Sequence, residues 1–276
     1  MNPLQTAIWY IEQGFNREIG LDDVARVAGV SRHHMARSFA EATGIPVMRY
    51  ARGRRLTEAA RRLADGAPDI LALALEAGYG SHEAFTRAFR DQFGVTPESV
   101  RNARRLDHLQ LVEPIKMDKT LIVALEPPRF VTSPELLIAG LSARYTVETN
   151  QGIPALWQRF GPHIGHVPGQ VGATSYGVCC NFDHDGSFEY VAGVEVARFA
   201  DLPDGFRTIR LPARKYAVFS HRDHISAIRA THYTIWNKWL PESGHEIADA
   251  PNFEKYGPDF DPSTGTGLTE IWLPLA

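Results

Sequence analysis

The sequence predicts two domains: an all-α N-terminal domain with two helix-turn-helix units, then an α+β domain. Three observations predict this. The 276 residues suffice for two cores rather than one. Helical periodicity runs to about Leu111 and gives way to short β-rich segments after Glu113-Pro114. A stretch of the helical half recurs about 50 residues later. The boundary assigns 1–108 to the helical domain, 109–119 to a linker and 120–276 to the α+β domain. With 44% hydrophobic and 22% charged residues, the composition excludes disordered, collagen-like and coiled-coil chains. No uncharged apolar run reaches the roughly 18 residues of a membrane span, and residues 1–9 lack the design of a signal peptide. A cytoplasmic protein without a membrane partner is expected. The adjacent Cys179 and Cys180 disfavour a disulfide and read as reduced strand residues.

The repeat defines the helical half. Ala25, Ala28 and Gly29 recur 49 positions on as Ala74, Ala77 and Gly78. Past the turn the offset is 50, pairing Ser31, Arg37, Phe39 and Gly44 with Ser81, Arg87, Phe89 and Gly94. Each unit reads as a short helix, a glycine permitting a tight turn, and a serine that caps a second helix. On that second helix Met35 and Phe39, and likewise Phe85, Phe89 and Phe93, form an inward stripe. The opposite face carries Arg32, His33, Ala36 and Arg37 in the first unit and His82, Glu83, Thr86 and Arg87 in the second. A helix entering the major groove reads bases with such positions, Arg pairing two-pronged with guanine and Glu accepting from cytosine. For one Arg a surface ion pair is the plain alternative. The matched occurrence of Arg37 and Arg87 decides for DNA.

Charge agrees with that reading. Residues 1–108 hold 15 Arg, no Lys and 13 acidic residues, and between Arg26 and Arg62 nine Arg face only Glu41 and Glu58. Pro46–Asp65, with Val47, Tyr50, Leu56, Ala59, Ala60 and Leu63, suits one connecting helix that would set two reading helices about one duplex turn apart, near 34 Å. Arg49, Arg52 and Arg62, with Arg54, Arg61, Arg101, Arg104 and Arg105, read as phosphate contacts. Arg55 is read as bracing the core. His33, His34 and His82 lack partners at metal-ligand spacing.

In the second half, alternation predicts strands such as Tyr190–Val196 and Tyr216–Ser220, and helical periodicity predicts Ile153–Phe160 and Ile225–Trp239. It holds 19 of the 28 aromatic residues. Trp157, Tyr176, Trp236 and Trp272 are candidates to line an apolar cavity beside Glu195 and Glu270, of which Glu270 is the first candidate to meet a cationic ligand. Nothing calls for a metal or another cofactor. There is no G-x-S-x-G, P-loop or dinucleotide fingerprint, so an enzyme is not expected. A small-molecule hydrolase or a drug-sequestering binder is the alternative.

Two resemblances sharpen these expectations. Leu21-Asp22-Asp23-Val24-Ala25, Ala28 to Phe39, Thr43-Gly44, Arg55-Leu56, Ala77-Gly78-Tyr79, Phe85 to Arg90 and Phe93 to Pro97 resemble the AraC/XylS family of transcription regulators. The resemblance implies two helix-turn-helix units joined by a helix, with base-reading positions at His33, Ala36, Arg37, His82, Glu83, Thr86 and Arg87. Ala36 departs from members with a long polar residue there, which implies fewer bases read or contact with a thymine methyl. Ser175-Tyr176-Gly177, Glu189 to Val196, Lys215 to Phe219, Ile235-Trp236, Trp239-Leu240-Pro241, Phe253 to Tyr256 and Glu270 to Pro274 resemble the GyrI-like effector-binding domain. That implies duplicated strand-helix-strand-strand units lodging small, often aromatic or cationic molecules. The implied function is ligand-responsive transcription regulation, with double-stranded promoter DNA, a small-molecule effector and RNA polymerase as partners.

Overall fold

The computed structural model describes residues 3–15, 19–115, 122–146, 149–183, 187–199 and 201–276. The first half contains α1 (Pro3–Gly14), α2 (Leu21–Ala28), α3 (Arg32–Thr43), α4 (Val47–Ala64), α5 (Ile70–Glu76), α6 (His82–Phe93) and α7 (Pro97–Ala103). The chain turns from α2 to α3 at Gly29 and from α5 to α6 at Gly78, with φ +69° and +74°, a left-handed backbone that a Cβ would strain. Ser31 Oγ then accepts from His34 N at 3.2 Å, and Ser81 Oγ from Ala84 N at 3.1 Å, satisfying a free donor at each helix start.

The helix α4 spans two small cores. Its Val47 and Tyr50 pack with Leu4, Ile11, Val24, Met35 and Phe39. Its Leu56, Ala59, Ala60 and Leu63 pack with Leu73, Phe85, Phe89 and Val100. One polar stripe on α4 stays inside. Arg54, expected at phosphates, is instead buried: its Nε and Nη2 donate to the Glu12 carboxylate at 2.9 and 3.0 Å, and its Nη1 to the Val112 carbonyl at 2.9 Å. Tyr50 Oη donates to Glu12 Oε1 at 2.5 Å and accepts from Ile115 N at 3.1 Å. Residues 109–115, read as the start of the linker, thus lie on the helical half, with Leu109 in the second core and Val112 and Ile115 against the first. Arg55 Nε donates to the Phe15 carbonyl at 2.7 Å, bracing α1.

The second half is one eight-stranded antiparallel sheet. Its strands are β1 (Arg129–Ser133), β2 (Leu136–Tyr145), β3 (Gln170–Cys180), β4 (Phe188–Val196), β5 (Arg207–Leu211), β6 (Arg214–His221), β7 (Asn252–Tyr256) and β8 (Thr269–Pro274), in the order β1-β6-β8-β7-β3-β4-β2-β5. Helix α8 (Ile153–Phe160) follows β2, and α9 (Ile228–Thr234) follows β6 and runs on through a π turn, Ile235–Trp239, into α10 (Leu240–Ser243). The units β2-α8-β3-β4 and β6-α9-β7-β8 therefore repeat one topology and join where β3 pairs β7, with Val178 opposite Phe253.

Both helices cover the same face of the sheet. Leu156 and Phe160 of α8 pack on Ala139, Ala192 and Val194, and Ile235 and Trp236 on Ala217, Phe219, Ile271 and Leu273. On the other face Tyr176, Val178, Tyr216, Phe253 and Trp272 gather into a separate core around which the sheet curls. The free Cys179 and Cys180 end β3 on opposite faces. No helix among the described residues is long and apolar enough to cross a membrane.

Candidate functional site

The two helices expected to read DNA, α3 and α6, differ in what covers them. On α6, His82, Glu83 and Arg87 are exposed and Thr86 is half-buried, while Phe85 and Phe89 face inward. Hydrogen bonds from its own backbone N–H and from Ser81 hold the Glu83 carboxyl below the usual range. On α3 the outward face expected from the repeat is covered at Ala36 and Arg37, while Arg32 and His33 stay half-buried. Ala36 and Arg37 are each 8% exposed, because α9 and its π turn lie across them. The Arg37 guanidinium carbon sits 5.2 Å from the Trp236 ring centre and 5.4 Å from that of Phe182. His34 packs on Trp236 at 5.2 Å between ring centres, and burial pushes its imidazole down to about 4. His33 Nε2 lies 3.2 Å from Asp249 Oδ1, and Arg32 Nη1 lies 3.6 Å from Asp22. The three leading phosphate candidates, Arg49, Arg52 and Arg62, are all exposed, and Arg62 Nη1 lies 2.6 Å from Glu76 Oε2.

The six residues expected to share an effector cavity do not all meet: four share one sheet face and two lie elsewhere. Tyr176, Glu195, Glu270 and Trp272 lie on the sheet face away from the helices. There Tyr176 Oη donates to Glu195 at 3.3 Å and Trp272 Nε1 to Glu270 at 3.1 Å, with Arg129 paired to Glu270. Trp236 belongs to the contact between the two halves of the chain. Of the six, Trp157 on α8 lies over the helix-covered face of the sheet, where its Nε1 donates to Tyr190 Oη at 3.1 Å. Beside it is a carboxylate the spacing did not single out. Glu254, its side chain 13% exposed, accepts from Tyr190 Oη at 2.9 Å and from Tyr256 Oη at 2.7 Å, and lies 3.2 Å from His232 Nε2. Burial raises its carboxyl pKa, but hydrogen bonding and charge from His232 and the two tyrosine hydroxyls outweigh burial and keep it below the usual range. The Tyr190 and Tyr256 hydroxyls are pushed up by burial and by the Glu254 charge. The site is thus an ionised carboxylate ringed by aromatic faces, with Trp157 5.2 Å and Phe260 4.9 Å from Tyr256 between ring centres.

Residues 126–276 match the family described as a GyrI-like small molecule binding domain, and residues 24–103 match a helix-turn-helix domain. The chain belongs to the GyrI-like family, joined to an AraC-type reader. Similar proteins match along most of the chain. The right origin-binding protein of Escherichia coli K12 is 25% identical over 267 residues, covering 94% of this chain and 91% of its own. The transcriptional regulator Rob of Salmonella typhimurium is 24% identical over 270 residues, with the same coverage. The transcriptional regulator BrlR of Pseudomonas aeruginosa is 27% identical over 209 residues, covering 70% of this chain and 77% of its own. The protein is a DNA-binding transcription regulator whose GyrI-like domain binds small molecules.

Within the GyrI-like domain, one glycine permits the Glu254 cluster. Gly177 lies opposite Glu254 on β7, and a Cβ there would collide with the Tyr190 hydroxyl and stand 2.9 Å from Glu254 Oε2. Gly177→Ala is expected to drive Tyr190 off the carboxylate and cost about 1–3 kcal/mol through overpacking. Urea unfolding would read the loss, and near-ultraviolet circular dichroism of Trp157 and Tyr190 the local change. Wild-type values in both would show that the hydroxyl does not occupy this space.

Proposed function

We propose that the protein reads double-stranded promoter DNA with the second helix of each repeat, and that an aromatic cation settling on Glu254 is the effector that alters this reading. The observation that carries the proposal is a negative charge held among rings between α8 and α9, a setting that favours an aromatic organic cation through both charge and ring faces. Among the predicted effector residues only Trp157 joins it. The division into a reader at 1–108, a connection at 109–119 and an effector domain at 120–276 belongs to this proposal, as do RNA polymerase as protein partner and a cytoplasmic setting. So does a non-enzymatic role; the similar proteins named above are regulators or origin-binding proteins.

The DNA half is tested on duplexes that the protein itself selects from a random pool. Arg87 is exposed and forms no ion pair among the described residues. Arg87→Ala is expected to cost about 1–3 kcal/mol on the selected site and to relax preference at one base pair. The exposed Arg52, changed to Ala, is expected to weaken all sequences alike and lower the salt slope by about 1. Equal losses from both variants on specific and nonspecific DNA would remove α6 as a reader.

A further inference from the structure

The two repeats act as each other's control. Arg37 and Arg87 occupy equivalent positions 50 residues apart, yet Arg87 is exposed and Arg37 is 8% exposed. What covers Arg37 is a face assembled from three separate pieces of the GyrI-like domain: Phe182 beyond β3, Trp236 on the π turn, and Asp249 before β7. Phe182 and Trp236 take the guanidinium between their rings, and Asp249 takes His33. Cys179 lies beneath, lining the same small pocket as Arg37 and Phe182.

The contact is not packed like a core. Arg37 Nε and Nη1, His34 Nε2 and Trp236 Nε1 are buried without a hydrogen-bond partner among the described residues. Beside them lies a cleft of about 500 Å³ lined by Ser31, His33 and Arg37 from the helical half and by Asn181 and Ala248 to Asn252 from the other, with the His33–Asp249 contact at its edge. A guanidinium held only by ring faces leaves unused the N–H donors that guanine O6 and N7 would accept. The aromatic slot and the major groove therefore compete for one group, and the slot satisfies less of it. Buried polar groups without partners make an assembly easier to open, and π turns such as the one carrying Trp236 recur at functional sites.

We propose that this face of the GyrI-like domain is an internal docking surface for the first reading helix. The chain then has a closed state that withholds α3 from DNA, and an open state in which Arg37 exchanges the two rings for a base pair. The inference rests on the reading of both repeats as DNA readers. Its test uses the full chain, with Phe182→Ala as the opening variant and duplexes that this variant recovers from a random pool. The recovered motif should contain two blocks one helical turn apart, and Phe182→Ala should bind it about tenfold more tightly than wild type. The 74% exposed Asp249, changed to Asn, should act in the same direction by a smaller factor, which covers misfolding of the first variant. In a Cys180→Ser chain otherwise wild type, saturation with that duplex should speed iodoacetamide labelling of Cys179 at least about tenfold, because leaving α3 uncovers it. Affinities equal across the three proteins, or Cys179 labelled as slowly on DNA as off it, would overturn the docking surface while leaving DNA reading intact. Absence of DNA binding by every protein would instead overturn the two-reader assignment and the inference with it.

Discussion

Arg54→Ala is expected to destabilise the helical half by about 3–5 kcal/mol, the usual consequence of deleting one member of a buried ion pair. The side chain is 5% exposed and its Glu12 partner 21% exposed. Two of its nitrogens engage the Glu12 carboxylate, and a third reaches the Val112 carbonyl, tying α1 and residues 109–115 to the middle of α4. Truncation leaves Glu12 with only the Tyr50 hydroxyl and strands a carbonyl. Arg61, on the same helix but 35% exposed and paired with Glu58 and Glu113, provides the comparison. Its replacement by Ala should cost about 0–1 kcal/mol, because solvent screens an exposed pair. Urea unfolding followed by far-ultraviolet circular dichroism separates the two. Similar small losses would mean that Arg54 is not a structural clamp, and would return it to the phosphate contacts.

That comparison marks where the sequence is legible and where it is not. Turn and cap chemistry is local, so Gly29 with Ser31 and Gly78 with Ser81 place both helix-turn-helix units from short range alone. Periodicity places α8 at Ile153–Phe160 and puts Tyr50, Leu56 and Leu63 inside α4. Long-range partners are not legible this way. Glu12 lies 42 positions before Arg54, and nothing near Arg37 announces that a ring from Trp236 will cover it. Strand alternation gives the parity of each carboxylate, so Glu254 and Tyr256 must share a face. Which face the helices cover depends on how each unit folds back on the sheet. Spacing therefore singles out Glu195 and Glu270 and passes over Glu254, which falls on the opposite side of the sheet from both. The signal that would have ranked Glu254 first is the alternation of Glu254 and Tyr256 on β7 combined with Gly177 on its neighbour, small enough to let a tyrosine hydroxyl reach the acid.

Glu254→Gln is expected to weaken binding of tetraphenylphosphonium, used as a lipophilic aromatic cation, by about 2–5 kcal/mol, since the buried charge facing the ligand is lost while the side chain keeps its shape. Isothermal titration measures it, with Glu270→Gln as the paired variant. Glu270 lies on the opposite face of the sheet beside Arg129 and Trp272, so its replacement should leave the affinity unchanged. The reverse ranking would move the effector site to that other face. Acid should act as the mutation does. The Glu254 carboxyl is held below its ordinary 4.5, so the folded state favours its ionised form. Its contribution to stability and to cation binding is full above about 4.5 and is lost as pH falls through the lower folded value. His232, which approaches Glu254, and Trp236, which covers Arg37, stand one turn apart on the segment from α9 into the π turn. Under the proposed function, a cation that takes the carboxylate from His232 would release that hold on the segment carrying Trp236. If the two sites are coupled in this way, the cation changes DNA affinity by some factor, and DNA must change cation affinity by the same factor.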